Sequence, residues 1–100
     1  MVMEHLRQYS KKQLESKSTS ELEWHYMDAY KIAHSSGMIE NDSRLKMITG
    51  ILFGRNELRE KLIIKCQIKQ RLEEAVRREG YEEAATFRDM LKHYEQHIMG

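Results

Sequence analysis

One hundred residues, 40% hydrophobic, 33% charged and without proline, allow one small domain and have the composition of long helices. A formal net charge of +1 argues against general nucleic-acid binding, and a single cysteine, Cys66, excludes an intrachain disulfide and fits a reducing cytoplasm. No apolar run approaches the roughly 18 residues of a membrane-spanning helix, and Met1-Val-Met-Glu-His-Leu6 lacks the basic start and apolar core of a signal peptide.

In chain order, residues 3–17 predict a short, mostly polar helix with Leu6, Tyr9 (or Ser10) and Leu14 as weak apolar points. Ser16-Lys-Ser-Thr-Ser20 is a linker and a start signal, because Ser18 to Glu21 and Ser20 to Glu23 both have capping-box spacing. Leu22, Tyr26, Ala29, Tyr30 and Ala33 then form a helical stripe, with Trp24 and Met27 on its flank. Trp24, Tyr26 and Tyr30 are expected to make a small aromatic core. The helix should end near His34-Ser-Ser-Gly37, with glycine as a left-handed cap.

Asn41-Asp42-Ser43 offers the next start. From there no firm stop occurs before Gly80, so 42–79 reads as one long helix, kinked or broken in two near Gly54-Arg55-Asn56. Leu45, Ile48, Leu52, Leu58, Leu62, Ile68, Leu72 and Val76 supply its apolar points. Ile63 and Ile64 widen the stripe to almost half the circumference, which calls for neighbours on more than one side. Residues 44–78 hold ten basic and four acidic residues, whereas the flanking segments are net acidic.

Gly80 follows Ala75-Val76 and the pair Arg77-Arg78, which is a helix stop. Tyr81, Ala84, Ala85, Arg88, Leu91 and Tyr94 recur at three- and four-residue steps, and Glu82 and Glu83 occupy the first turn, where the macrodipole favours acids. Two helices joined by so short a turn run antiparallel. Alanines 84 and 85 let them approach closely.

These residues resemble the UVR motif of the B and C subunits of the bacterial excision-repair nuclease, a motif also present in some Clp-type ATPases and in McsA-type activators of a protein arginine kinase. Ile68 and Leu72 take the apolar positions of the first helix. Ala75-Val76 is the small pair before the turn, Tyr81 the aromatic, and Ala84-Ala85 the alanine pair. Phe87-Arg88-Asp89 stands where Leu-Arg-Asp is usual, followed by Leu91. Glu79 departs from the usual apolar residue. The resemblance covers residues 67–94, within a hairpin expected over 67–98, and no second copy of the pattern is present. It implies a helical hairpin that binds protein, with Ile68, Leu72, Val76, Tyr81, Ala84, Ala85, Phe87, Arg88, Asp89 and Leu91 as partner-binding residues. It further implies, as partners, a Clp-type ATPase, a repair subunit or an arginine-kinase system, but the paired zinc cysteines of McsA-type proteins are missing here.

A hairpin of about 28 residues falls below the size at which domains fold unaided, so it must pack on its own chain, a second copy or a partner. The expected fold is an elongated all-α bundle forming a single domain. Its parts are N-terminal helices over 1–40, the long helix over 42–79 and the C-terminal hairpin, and it pairs as a homodimer or a hetero-complex.

Candidate chemical sites are weak. His93 and His97 have metal-binding spacing but no third ligand nearby, and read as surface histidines. His25 and Asp28 suggest a surface pair. Cys66, among Ile63, Ile64 and Ile68, reads as a buried small hydrophobe. Arg88 and Asp89 read as a salt-linked brace across the hairpin. Thr-Gly-Ile-Leu-Phe-Gly54 is no phosphate loop, because no Gly-Lys-Ser/Thr follows. With no nucleophile–base constellation, no catalytic residue, metal or cofactor is assigned. The chain is expected to be a non-enzymatic bacterial adaptor or regulator. The alternative is a nucleic-acid-binding regulator using the basic 44–78 helix.

Overall fold

The computed structural model describes residues 9–100. Leu6, expected in the first helix, lies outside them. The described residues form five α-helices: α1 (Lys11–Glu15), α2 (Leu22–Ser35), α3 (Ser43–Phe53), α4 (Leu58–Arg77) and α5 (Tyr81–Tyr94). A wide π turn, Glu95–Met99, continues α5.

The helix starts follow local chemistry. Ser10 and Gln13 form a reciprocal capping box on α1. Ser18 and Glu21 form a second in the turn that leads into α2 (2.8 and 3.1 Å). Asp42 accepts from the Leu45 amide at 2.7 Å and caps α3.

Two helices end in the same motif with different residues at its critical position. After α2, Met38 N–H donates to Ala33 O and Gly37 N–H to His34 O. After α4, Gly80 N–H donates to Ala75 O and Glu79 N–H to Val76 O. Both are Schellman closures, which need one left-handed residue. Gly37 supplies it after α2 (φ 69°), as expected. After α4 the left-handed residue is Glu79 (φ 60°), not Gly80, which lies at φ −84° and opens α5. A Cβ in that region costs energy that glycine avoids.

The stretch 42–79 is two helices, not one long helix. Gly54 N–H still donates to Gly50 O, but Arg55 N–H reaches back only to Leu52 O, and α4 restarts at Leu58. Two cations hold the break. Lys61, 8% exposed, donates from Nζ to Phe53 O (3.3 Å) and Arg55 O (2.9 Å), satisfying carbonyls at the end of α3. Arg55 turns its guanidinium the other way, to Thr19 Oγ1 (3.0 Å), Glu15 O (3.0 Å) and Lys17 O (2.9 Å). Buried Thr19 in turn donates to Glu57 at 2.6 Å. The break is therefore tied to the α1–α2 linker.

The helices then assemble around one core. Ile64 and Ile68 on α4 and Phe87, Met90 and Tyr94 on α5 join Tyr26, Tyr30 and Ala33 of α2 and Leu45, Ile48 and Leu52 of α3. Leu14 of α1 and Ile98 of the π turn close its edges. The radius of gyration, 13.3 Å, is that of a compact domain of this length, so the expected elongation is absent. Without the long helix there is no rod to extend.

Other expectations are also corrected. Tyr26 and Tyr30 are core residues, but Trp24 is 50% exposed, because its position on α2 points away from α4 and α5. His25 is buried between the Tyr9 and Trp24 rings, and Asp28 pairs with Arg44 at 2.9 Å instead. Cys66 is exposed, since the apolar neighbours that suggested burial straddle two faces of α4.

Two stability changes are expected. Glu79→Gly should stabilise the fold by about 0.5–1 kcal/mol by removing the left-handed strain; thermal unfolding would show a melting temperature a few degrees higher. Arg55→Ala should cost about 2–3 kcal/mol by leaving polar groups of the linker without a donor. Arg55→Lys should recover little of this, because a point charge cannot span the same acceptors; urea denaturation checks both.

Candidate interaction surface of the helical hairpin

The inner face of the α4–α5 hairpin follows from helical spacing. Lys61, Ile64, Ile68 and Ala75 recur along one side of α4, as do Ala84, Phe87, Met90 and Tyr94 on α5, and all are buried. At its open end Tyr94 Oη donates to Lys61 O at 2.7 Å, and Lys65 pairs with Glu95 at 3.2 Å. At the turn Arg78 pairs with Glu83 at 3.0 Å.

The ten residues expected to bind a partner do not lie on one surface. Ile68, Ala84 and Phe87 are buried within the chain's own core. Leu72, Ala85, Asp89 and Leu91 are half-buried. Val76 (53% exposed), Tyr81 (71%) and Arg88 face outward, with Val76 and Tyr81 flanking the turn. Two apolar side chains of the expected set thus stand exposed at one end of the hairpin. Removing a buried member such as Phe87 would cost about 3–5 kcal/mol of stability, so only the outward residues can report on binding.

Arg88 and Asp89 do not brace the hairpin. Among the described residues Arg88 reaches only its neighbour, Asp89, at 3.3 Å, whereas the other Asp89 oxygen accepts from His34 Nε2 of α2 at 3.2 Å. The link joins the hairpin to the N-terminal helices. Burial raises the Asp89 carboxyl, but hydrogen bonds from His34 and Arg88 outweigh it and leave its pKa below the ordinary value.

Behind this link an open groove runs between α2, α3 and α5, lined among others by Tyr30, His34, Phe53, His93 and His97. His93 is half-buried, not a surface histidine. Tyr26, whose buried phenol stays protonated, is hydrogen-bonded through Oη to His93 Nδ1 at 2.8 Å, and the His97 ring lies 4.5 Å away. Burial, then the neighbouring His97, push the His93 pKa down to about 4. Burial and then Asp89 push Tyr30 up to about 12. Among the described residues no group of three or more His, Cys, Asp or Glu side chains is arranged to hold a metal ion.

Sequence spacing did not separate the outer face of α4 from its inner one. Leu62 (43% exposed), Ile63 (45%) and Cys66 sit opposite the core among Arg59, Lys69 and Arg77. A stripe too wide for one neighbour was the available signal, and the inner residues concealed it.

Residues 56–96 match the family model described as the UvrB/uvrC motif, which is a protein- and DNA-interaction motif. The match takes in all of α4 and α5, so the hairpin begins about ten residues before the expected position, and residues 1–55 lie outside it. No curated protein and no solved structure matches the chain. No helix of the described residues is long and apolar enough to cross a membrane.

His93 generates a pH prediction. Its folded pKa, about 4, lies below its unfolded value near 6.5, so the folded state disfavours the proton. Its contribution to stability is complete above pH 6.5 and is lost as pH falls towards 4. His25, also shifted down by burial, acts in the same direction. Unfolding free energies measured between pH 7 and 4 should fall less steeply in His93→Gln than in the wild type.

Proposed function

We propose that the chain is a non-enzymatic interaction module: a small adaptor or regulator of the bacterial cytoplasm that docks on a partner protein through its UVR hairpin. The exposed pair Val76 and Tyr81, at the turn of a hairpin matching an interaction motif, carries this reading. The hairpin's inner face is occupied by its own chain, so its remaining apolar surface is what a partner would cover. By resemblance the partner is a Clp-type ATPase, a repair subunit or an arginine-kinase system. Homodimer and hetero-complex both fit the motif, and we favour the hetero-complex.

The competing reading, nucleic-acid binding along the basic 44–78 segment, draws on the same motif description but loses half its cations. Arg55 and Lys61 are committed to backbone carbonyls at the helix break. Arg44, Lys65 and Arg78 are paired with Asp28, Glu95 and Glu83. Nucleic-acid affinity depends on phosphates neutralised by available cations and weakens steeply with salt.

Val76→Asp and Tyr81→Asp should each abolish partner capture from a bacterial lysate, read by mass spectrometry, while leaving the helical circular dichroism unchanged. Capture by both variants at wild-type levels would contradict the reading. A mobility shift of duplex or single-stranded nucleic acid that disappears as salt rises would favour the competing one.

A further inference from the structure

The outer face of α4 has a composition that its own fold does not use. Residues 59, 62, 63, 66, 69, 73, 76 and 77 recur at three- and four-residue steps, which places them on one side of the helix. Leu62, Ile63 and Val76 are exposed there, with Cys66 between them. Arg59, Lys69 and Arg77 flank this apolar line, and among the described residues none of the three makes an ion pair or a side-chain hydrogen bond. Glu73 and, at its edge, exposed Glu74 are the carboxylates along the strip. Three cations against two carboxylates leave it with an excess of positive charge.

We infer that this face is a docking strip for an acidic amphipathic helix of a partner protein. The inference rests on the adaptor reading and names the chemistry of the partner. Leucine-sized side chains on the partner's apolar edge would cover Leu62, Ile63 and Val76, in the manner of a helix laid against an apolar surface. Carboxylates beside that edge would meet Arg59, Lys69 and Arg77. A second copy of this chain is the poorer occupant, since its own strip carries the same excess of positive charge and the two faces would repel. Nucleic acid would meet the cations but leave three apolar side chains without cover. The strip spans about 30 Å of helix, the reach of a partner helix of similar length.

The test uses the full chain and labelled synthetic peptides of about 20 residues. One carries leucines at three- and four-residue steps flanked by glutamates. A second has the same composition scrambled, and a third has lysines in place of the glutamates. Fluorescence anisotropy should show the patterned acidic peptide binding and neither control doing so. Leu62→Asp and the double variant Arg59→Glu/Lys69→Glu should each weaken binding by about tenfold or more, and the double variant should begin to bind the lysine peptide. All these side chains are exposed, and unchanged circular dichroism confirms that the variants fold. Tyr81→Asp should leave peptide binding intact, so loss of the strip is separable from loss of Tyr81 at the tip, whereas Val76 belongs to both. Four results would overturn the inference: no binding of the patterned acidic peptide, equal binding of the scrambled one, unweakened binding by the variants, or concentration-dependent dimerisation that Leu62→Asp abolishes.

Discussion

The Lys61 ammonium donates to Phe53 O and Arg55 O at the end of α3, while Lys61's own carbonyl accepts from Tyr94 Oη near the end of α5. One residue thus terminates a helix, anchors the first turn of the next and receives the far end of the hairpin. A buried ammonium is tolerated only where it is hydrogen-bonded, and here the acceptors are carbonyls that the helix end leaves unsatisfied. Arg55 extends the junction to the α1–α2 linker. Without this break, residues 43–77 would run straight, and α1–α3 could not fold back over Ile64, Ile68 and Tyr94.

The break decides which surfaces of the hairpin are available. A hairpin of this size needs cover for its apolar inner face. α2 and α3 provide it, with Tyr26 and Tyr30 packed among Met90, Tyr94 and Ile68. His34–Asp89 and Tyr26–His93 add polar links between α2 and α5. The turn, with Val76 and Tyr81, and the outer face of α4 are left exposed. Both lie within the segment that matches the UvrB/uvrC motif.

Much of this was legible in local sequence. Ser18–Glu21, Asp42 and Gly37 mark their helix ends by chemistry that acts within a few residues. The hairpin could be read from Gly80, Tyr81 and the alanine pair. What could not be read depends on contacts distant in sequence. Lys61 and Arg55 look like ordinary solvated cations until the carbonyls of other segments are in place. Cys66 and Trp24 lie within two positions of the buried Ile64, Ile68, Leu22 and Tyr26 in sequence but face outward, because a helix turns each residue by about 100°. The motif places Asp89 beside Arg88, and the two do touch, but Asp89 also bonds His34, 55 positions away, which no local pattern announces. The site residues were blurred for the same reason: spacing finds an apolar face but not which neighbour covers it.

The N-terminal helices occupy the hairpin's inner face, so the chain folds as one unit and leaves only the hairpin's outer surfaces open. Native-state hydrogen exchange tests it most directly. Amides of Tyr26 and Tyr30 in α2, Ile64 and Ile68 in α4, and Met90 in α5 should all exchange with the same free energy, that of global unfolding. Exchange of the α2 amides at a markedly lower free energy, with α4 and α5 still protected, would contradict it. The inner face would then open independently and be available to a partner.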